Sequence, residues 1–367
     1  MEMALRAYKL KTFYWKNYNM RIIIPLFGAT YHGGTRVLFQ IANELSQKGA
    51  NVEIVCPRKK YNPIYDISDD VTIKLVEISF LPVYCIYLVF YILFTNNRHI
   101  FLSHWLTGIL HSPSIFFRGH GTYLVQDTEE VFYPKKTFTG KVLRYFVFMS
   151  YRLNHKNMIV TTSYGARKLS VINGLNNQAE MFPLGINKQV FKVNKDTPRE
   201  KVILCFPRIG EFKGFELLKN TLNLIKNDEF LSRYKVVCIS QEKNLKKDLY
   251  GLYDEFRSVN NDLDLASVYN KASILLHTSK YEGVCLPILE AISCGCRVVC
   301  TNSFGPAHYL SSQNSGVTSV REPEVLLNLL KLELKKEMEK SEISVSVLEF
   351  SIQNFVKNTV GYICNRL

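Results

Sequence analysis

No Cys-x-x-Cys pair occurs in this chain. Its nine cysteines (Cys56, Cys85, Cys205, Cys238, Cys285, Cys294, Cys296, Cys300 and Cys364) are scattered and odd in number. That argues against a disulfide framework or a zinc ribbon and points to a reducing, cytoplasmic compartment. Several lie in apolar runs, where cysteine serves as a small hydrophobe. An apolar core is missing from Met1 to Asn19, which is polar, basic and aromatic, so no secretory signal is read there. The nearest thing to a membrane span is Ile78 to Phe94, 17 residues without a charge, at the lower edge of a spanning length. It contains Pro82 and several tyrosines, and a buried or membrane-facing helix is expected instead of a span. Internal repeats and low-complexity segments are also absent.

Acidic residues are missing altogether from residues 131–179. That window carries Lys135, Lys136, Lys141, Arg144, Arg152, Lys156, Arg167 and Lys168, interleaved with Phe138, Tyr145, Phe146, Phe148 and Tyr151. A basic, aromatic amphipathic helix suits an anionic membrane surface; its plainer role is a core-packing helix with a solvated basic face. Nucleic acid is a weaker reading of the same charge, because no recognition motif accompanies it. The formal net charge is +14, of which residues 1–184 hold +10.

What remains has the composition of a globular protein, 47% hydrophobic and 21% charged over 367 residues, enough for two domains of ordinary size. Strand-like and helix-like segments alternate through both halves, as in doubly wound α/β folds. Strands are expected at 21–27, 52–56, 72–76, 99–103, 114–118 and 158–162, then at 202–206, 235–240, 272–277 and 297–301. Helices are expected at 35–48, 139–155, 215–225 and 287–294. The crossover lies in the polar stretch 185–199. This gives an N-terminal domain of residues 1–186 and a C-terminal domain of residues 187–349. Residues 331–342 read as a charged, solvated helix.

Several residue sets carry chemistry. Glu282 and Glu290 stand eight apart in Glu282-Gly283-Val284-Cys285-Leu286-Pro287-Ile288-Leu289-Glu290. The first falls in a loop and the second about two helical turns on, so both can line one side of a cleft. Carboxylates there suit sugar and ribose hydroxyls; two acids spaced by chance are the alternative. Arg208 and Lys213 flank a glycine turn after the strand at 202–206, where two cations suit a diphosphate. Gly33 and Gly34 open an amphipathic helix whose first N–H groups can receive a phosphate. His104 and Trp105 follow another strand and could line an acceptor pocket, with Trp105 stacking on a sugar or simply buried. Asp262-Leu263-Asp264 has the spacing of a metal motif but precedes a helix, and reads as cap or solvated acids.

Taken in order, these residues resemble family 4 of the retaining glycosyltransferases, over about Arg21 to Leu310. The Gly33-Gly34 turn is similar to that family's first loop, and Phe117-Arg118-Gly119-His120-Gly121 to its catalytic-cleft histidine. Met181 to Phe191 is similar to the segment before its interdomain linker. Arg208 and Lys213 match its diphosphate pair, and Glu282 and Glu290 its E-x7-E motif.

The resemblance implies the GT-B architecture: two Rossmann-like doubly wound domains facing across a cleft, with a C-terminal helix at about 350–367 returning to the first. The N-terminal domain would bind the acceptor and the C-terminal domain the nucleotide sugar. A UDP- or GDP-sugar would donate to a lipid-linked or cell-surface glycan at the cytoplasmic membrane face, with no metal and no nucleic acid. His120, Arg208, Lys213 and Glu282 would be catalytic. The donor would contact Gly33, Gly34, Arg208, Lys213, Glu282, Gly283, Val284, Cys285, Leu286 and Glu290. Pro207, Asn187 and His308 depart from the family pattern. A sugar-nucleotide epimerase or a non-catalytic subunit of the same architecture stays open as an alternative.

Overall fold

The computed structural model describes residues 21–29, 33–62, 66–95, 98–118, 121–154, 157–173, 179–242, 244–259, 261–310, 315–336, 342–343 and 350–365. The chain forms two compact units. Unit 1 comprises Met1–Thr161, Gly165–Phe182 and Phe355–Leu367, and unit 2 comprises Thr162–Tyr164 and Pro183–Asn354.

Unit 1 is built in the order β1 (Arg21–Pro25), α1 (Gly33–Gln47), β2 (Asn51–Pro57), β3 (Thr72–Val76), α2 (Leu81–Phe94), β4 (Arg98–Leu102), α3 (Trp105–Arg118), β5 (Gly121–Val125), α4 (Phe138–Leu153), β6 (Met158–Val160), α5 (Ser163–Asn173) and β7 (Glu180–Met181). Its strands lie side by side as β3-β2-β1-β4-β5-β6-β7. Every pairing is parallel. Parallel strands are covered on both faces, so they read as unbroken apolar runs; Ile22, Ile23 and Ile24 are fully buried. Pro25 has no N–H to give the ladder, and β1 ends there. Buried Val37, Leu38, Ile41, Ala42 and Leu45 recur at helical spacing on α1. The hydroxyl of Thr137 accepts the Gly140 N–H at 3.1 Å and caps α4.

Unit 2 continues with β8 (Val202–Cys205), α6 (Phe215–Asn227), β9 (Lys235–Ile239), β10 (Glu255–Arg257), α7 (Asp262–Lys271), β11 (Ile274–His277), α8 (Leu286–Ser293), β12 (Arg297–Thr301), β13 (Ser315–Thr318) and α9 (Pro323–Lys335). The sheet order is β10-β9-β8-β11-β12-β13, again wholly parallel. Its core packs Leu218, Leu222 and Ile225 of α6 with Leu326 and Leu330 of α9 against β8, β9 and β11. A last helix, α10 (Ile352–Cys364), begins in unit 2 and joins unit 1 from Phe355 onward. There Tyr362 meets Phe182 edge-on, with ring centroids 6.1 Å apart. The two sheets with their covering helices are the doubly wound α/β layers that the alternation of segments implies.

Two sequence expectations change. Residues 114–118, expected as a strand, are the last turns of α3. A short apolar run does not distinguish a strand from a buried helix by periodicity alone. The strand of this region is β5, which starts only at Gly121. Asp262 and Asp264 lie in the first turn of α7, where acids complement the helix dipole. The Asn261 side chain caps that helix by accepting the Asp264 N–H at 2.9 Å, and Arg257 pairs with Asp264.

Candidate active site

In doubly wound sheets ligands bind beyond the carboxyl ends of the strands, where the strand order reverses. Unit 2 reverses between β8 and β11. After β8 the chain turns through Gly210 (φ 126°) and Gly214 (φ 67°), which bracket the single 3-10 turn carrying Lys213. Gly214 is required twice over: its backbone is left-handed, and a Cβ there would stand 2.0 Å from the Thr278 carbonyl oxygen. The Lys280 N–H donates to Phe212 O at 2.8 Å and ties this turn to the segment after β11.

That segment delivers Glu282. The Lys213 ammonium is 2.9 Å from Glu282 Oε1, and His277 Nε2, at the end of β11, is 3.5 Å from the same oxygen. Burial pushes the Glu282 carboxyl up, but the His277 hydrogen bond and the Lys213 charge outweigh it and hold the group far below the usual carboxylate range. Arg208 is exposed and forms no ion pair among the described residues, leaving its guanidinium available to an anion.

The loop 282–285 is held rigidly. Gly305 lies so close to it that a Cβ would fall 1.4 Å from the Gly283 carbonyl oxygen. The Tyr309 hydroxyl donates to the carbonyls of Val284 and Cys285. Cys285 is left-handed (φ 60°) and precedes Leu286, the first residue of α8, whose opening N–H groups have no partner within the helix. Glu290, on α8, is buried and accepts the Tyr269 hydroxyl at 3.1 Å. Burial raises the Tyr309 phenol well above its usual range, with Cys285, Cys300, Glu282 and Glu290 adding to it, so both acids flank that ring.

Unit 1 reverses between β1 and β4, and a pocket of about 290 Å³ opens there. Phe27 and Gly28 line it after β1, Gly34 and Thr35 from α1, His104 after β4, and Gln126, Asp127 and Glu129 after β5. Gly34 packs on Gln126; a Cβ would meet its Oε1 at 3.0 Å. Glu129 Oε2 accepts the Trp105 N–H at 2.8 Å and the Tyr123 hydroxyl at 3.3 Å. His104 Nε2 is 3.9 Å from Glu129 Oε1. Burial pushes Glu129 up to about 8, despite the bonds it accepts, and takes His104 down to about 4. Partial burial therefore biases both groups toward their uncharged forms.

Of the residues expected from sequence, Lys213 and Glu282 are in contact, while Gly34 and His104 line the unit 1 pocket. Trp105 does not offer its face to a ligand: it is 8% exposed, packs in the core, and donates its indole N–H to Tyr133 at 2.8 Å. His120 lies outside the described residues. His277, Gln126, Glu129 and Tyr309 had not been singled out. His277 was the easiest to find, as the last residue of a strand already recognised.

Residues 187–344 match the family model described as glycosyl transferases group 1. The match covers less than half of the chain and is a likeness to that family over this segment. The matched segment contains Arg208, Lys213, His277, Glu282 and Glu290. A search of curated protein sequences returned no match. Solved structures of the GT-B architecture share the fold of this chain over most of both chains. WaaG, a glycosyltransferase involved in lipopolysaccharide biosynthesis, is 16% identical, with TM-score 0.67 over 94% of this chain and 95% of its own. Anabaena Alr3699/HepE in complex with UDP-glucose is 14% identical, with TM-score 0.69 over 94% and 98%. Sucrose-phosphate synthase from Thermosynechococcus elongatus is 16% identical, with TM-score 0.68 over 94% of each.

Proposed function

We propose that the protein is a retaining, metal-independent glycosyltransferase that takes a UDP- or GDP-sugar as donor and a lipid-linked or cell-surface glycan as acceptor. The observation that carries this reading is the Lys213–Glu282 pair at the switch point of unit 2, with Arg208 exposed in the same loop after β8. A cation paired with a fixed carboxylate, and a second cation exposed in the same loop, suit a sugar diphosphate: positive charge for the phosphates, an acceptor for sugar hydroxyls. The carbon–oxygen bond between the anomeric carbon and the diphosphate breaks. The acceptor hydroxyl oxygen bonds to the same face, and its proton leaves with the diphosphate. Arg208 and Lys213 stabilise the charge that grows on the leaving group. Glu282 and the N–H groups of Gly283 to Leu286 hold the donor, and Glu290 takes the ribose. Gly33 and Gly34 open the helix beside the unit 1 pocket, which takes the acceptor hydroxyl next to His104.

We further propose that unit 1 docks on the cytoplasmic face of an anionic membrane. Helix α2 exposes Val83, Ile86, Phe90 and Phe94, and α4 exposes Phe138, Val142, Tyr145 and Phe146. Helix α3 packs against both. Lys135, Lys136 and Lys141 are exposed on and just before α4. Apolar side chains flanked by cations suit an anionic interface. No helix among the described residues is long and apolar enough to cross a membrane.

Thermal stability measured with UDP, GDP, ADP and CMP, beside the Lys213→Ala variant, tests the donor reading. A nucleotide that binds the folded state alone raises Tm. A rise with UDP or GDP that the variant loses supports the assignment; no rise with any nucleotide would favour a non-catalytic subunit. Glu290→Ala weakens nucleotide binding if that acid holds the ribose. Neutralising Lys135, Lys136, Lys141 and Arg144 together reduces binding to anionic vesicles and leaves donor binding intact.

A further inference from the structure

Cys285 has a side chain where glycine would fit the backbone better. Its φ of 60° is left-handed, a conformation that costs an L-residue about 1–2 kcal/mol. That backbone places the thiol 3.3 Å from His277 Nε2, and His277 Nε2 is in turn 3.5 Å from Glu282 Oε1. The three donor atoms all lie within 4.8 Å of one another, and all three residues are buried. Zinc bonds of about 2.3 Å to sulfur and 2.0–2.2 Å to nitrogen or oxygen place the donors of a tetrahedral site roughly 3.3–3.6 Å apart. The sulfur–nitrogen and nitrogen–oxygen separations here are already of that size. The clamp of Gly305 and Tyr309 on loop 282–285 fixes two of the three donors before any ion arrives.

We propose that His277, Glu282 and Cys285 form a zinc-binding site that switches the enzyme off. Thiolate, imidazole and carboxylate are the donor set of a borderline-soft divalent ion and leave a fourth position for water. Binding releases the thiol proton to solvent. Zinc draws the Glu282 oxygen away from Lys213, so the carboxylate can no longer serve the donor. The ion is therefore an inhibitor and takes no part in turnover. This inhibitory consequence rests on the donor reading above; the site itself does not.

Titrating the full-length protein with zinc alone, against a chromophoric chelator, tests the site. One equivalent binds, and Cys285→Gly weakens it at least about 100-fold, more than the loss of an outer-sphere partner. Glycine fits φ 60° without strain, so that variant keeps its fold; His277→Ala is the second probe. Cys300→Ala, which removes a buried cysteine outside the set, binds zinc like the wild type. Cobalt in place of zinc shows a sulfur-to-metal charge-transfer band that Cys285→Gly abolishes. Absence of stoichiometric binding, or unchanged binding in Cys285→Gly, overturns the site. Sugar transfer is then suppressed at the zinc concentration that fills the site, and whatever transfer Cys285→Gly retains is insensitive to that concentration; zinc-saturated protein with full transfer overturns the inhibition. A chain with no transfer at all refutes the donor reading and leaves the zinc titration standing.

Discussion

The two switch points are built from similar parts and reach opposite charge states. Each places a histidine and a largely enclosed glutamate near the carboxyl ends of central parallel strands. In unit 2 an ammonium lies 2.9 Å from the carboxylate, and Glu282 stays ionised. In unit 1 burial favours the uncharged forms of Glu129 and His104. A single lysine, aimed by two left-handed glycines, therefore separates a carboxylate held ionised from a carboxyl whose ionisation burial opposes. Doubly wound geometry supplies the location, and the local balance of charge against burial selects the ligand.

Removing the lysine breaks this contrast most directly. Lys213→Ala is expected to lower sugar transfer by about 10²–10³-fold, as loss of a preorganised charge does. Near-normal turnover would take Lys213 out of the phosphate role. Gly214→Ala attacks the aim of that lysine: a Cβ 2.0 Å from Thr278 O at φ 67° should cost more than about 2 kcal/mol of stability in denaturant unfolding. Gly361→Ala in α10, where a Cβ meets nothing within 4 Å, should instead be neutral or mildly stabilising. Equal effects from the two would undo the argument from close approach.

pH profiles sharpen the comparison further. The folded-state pKa of Glu282 lies below its unfolded value of about 4.3. Its contribution is present above that value and is lost as pH falls. Glu129 is the reverse: its folded value of about 8 exceeds the unfolded one, so its contribution is whole below about pH 4.3 and fades as pH rises through 8. Glu282→Gln should flatten the acid limb of the Tm profile and Glu129→Gln the alkaline limb. A swap of limbs would reverse the charge assignment. The smallest effect belongs to Trp105→Phe, which loses one indole hydrogen bond, about 1 kcal/mol, and leaves the acceptor KM alone. A raised KM would restore Trp105 as a stacking surface.

How far the sequence was readable follows the same divide. Lys213, Glu282 and Glu290 can be picked out because glycine turns, a strand end and a helix start mark their positions locally. The parallel sheets were equally visible as apolar runs of strand length. Unit 1 was harder. The run 114–118 is as apolar as a strand yet completes α3, and that displaced β5 and the pocket residues behind it. Glu129 carries no signal in spacing, since its raised pKa comes from burial under elements distant in sequence. Trp105 was ambiguous for a similar reason: only the Tyr133 hydroxyl shows which way the indole points.

Helix α10 has a consequence for biosynthesis. Its segment from Phe355 belongs to unit 1, yet it follows the whole of unit 2 in the chain. On the ribosome, every strand of unit 2 has emerged before Phe355, Val360 and Ile363 can fill their places against unit 1. Unit 2 can close as a nascent domain while the earlier-made half still waits, with an open apolar seam, for its last helix. A chaperone that shields that seam would be needed most during the interval in which residues 183–354 are being translated.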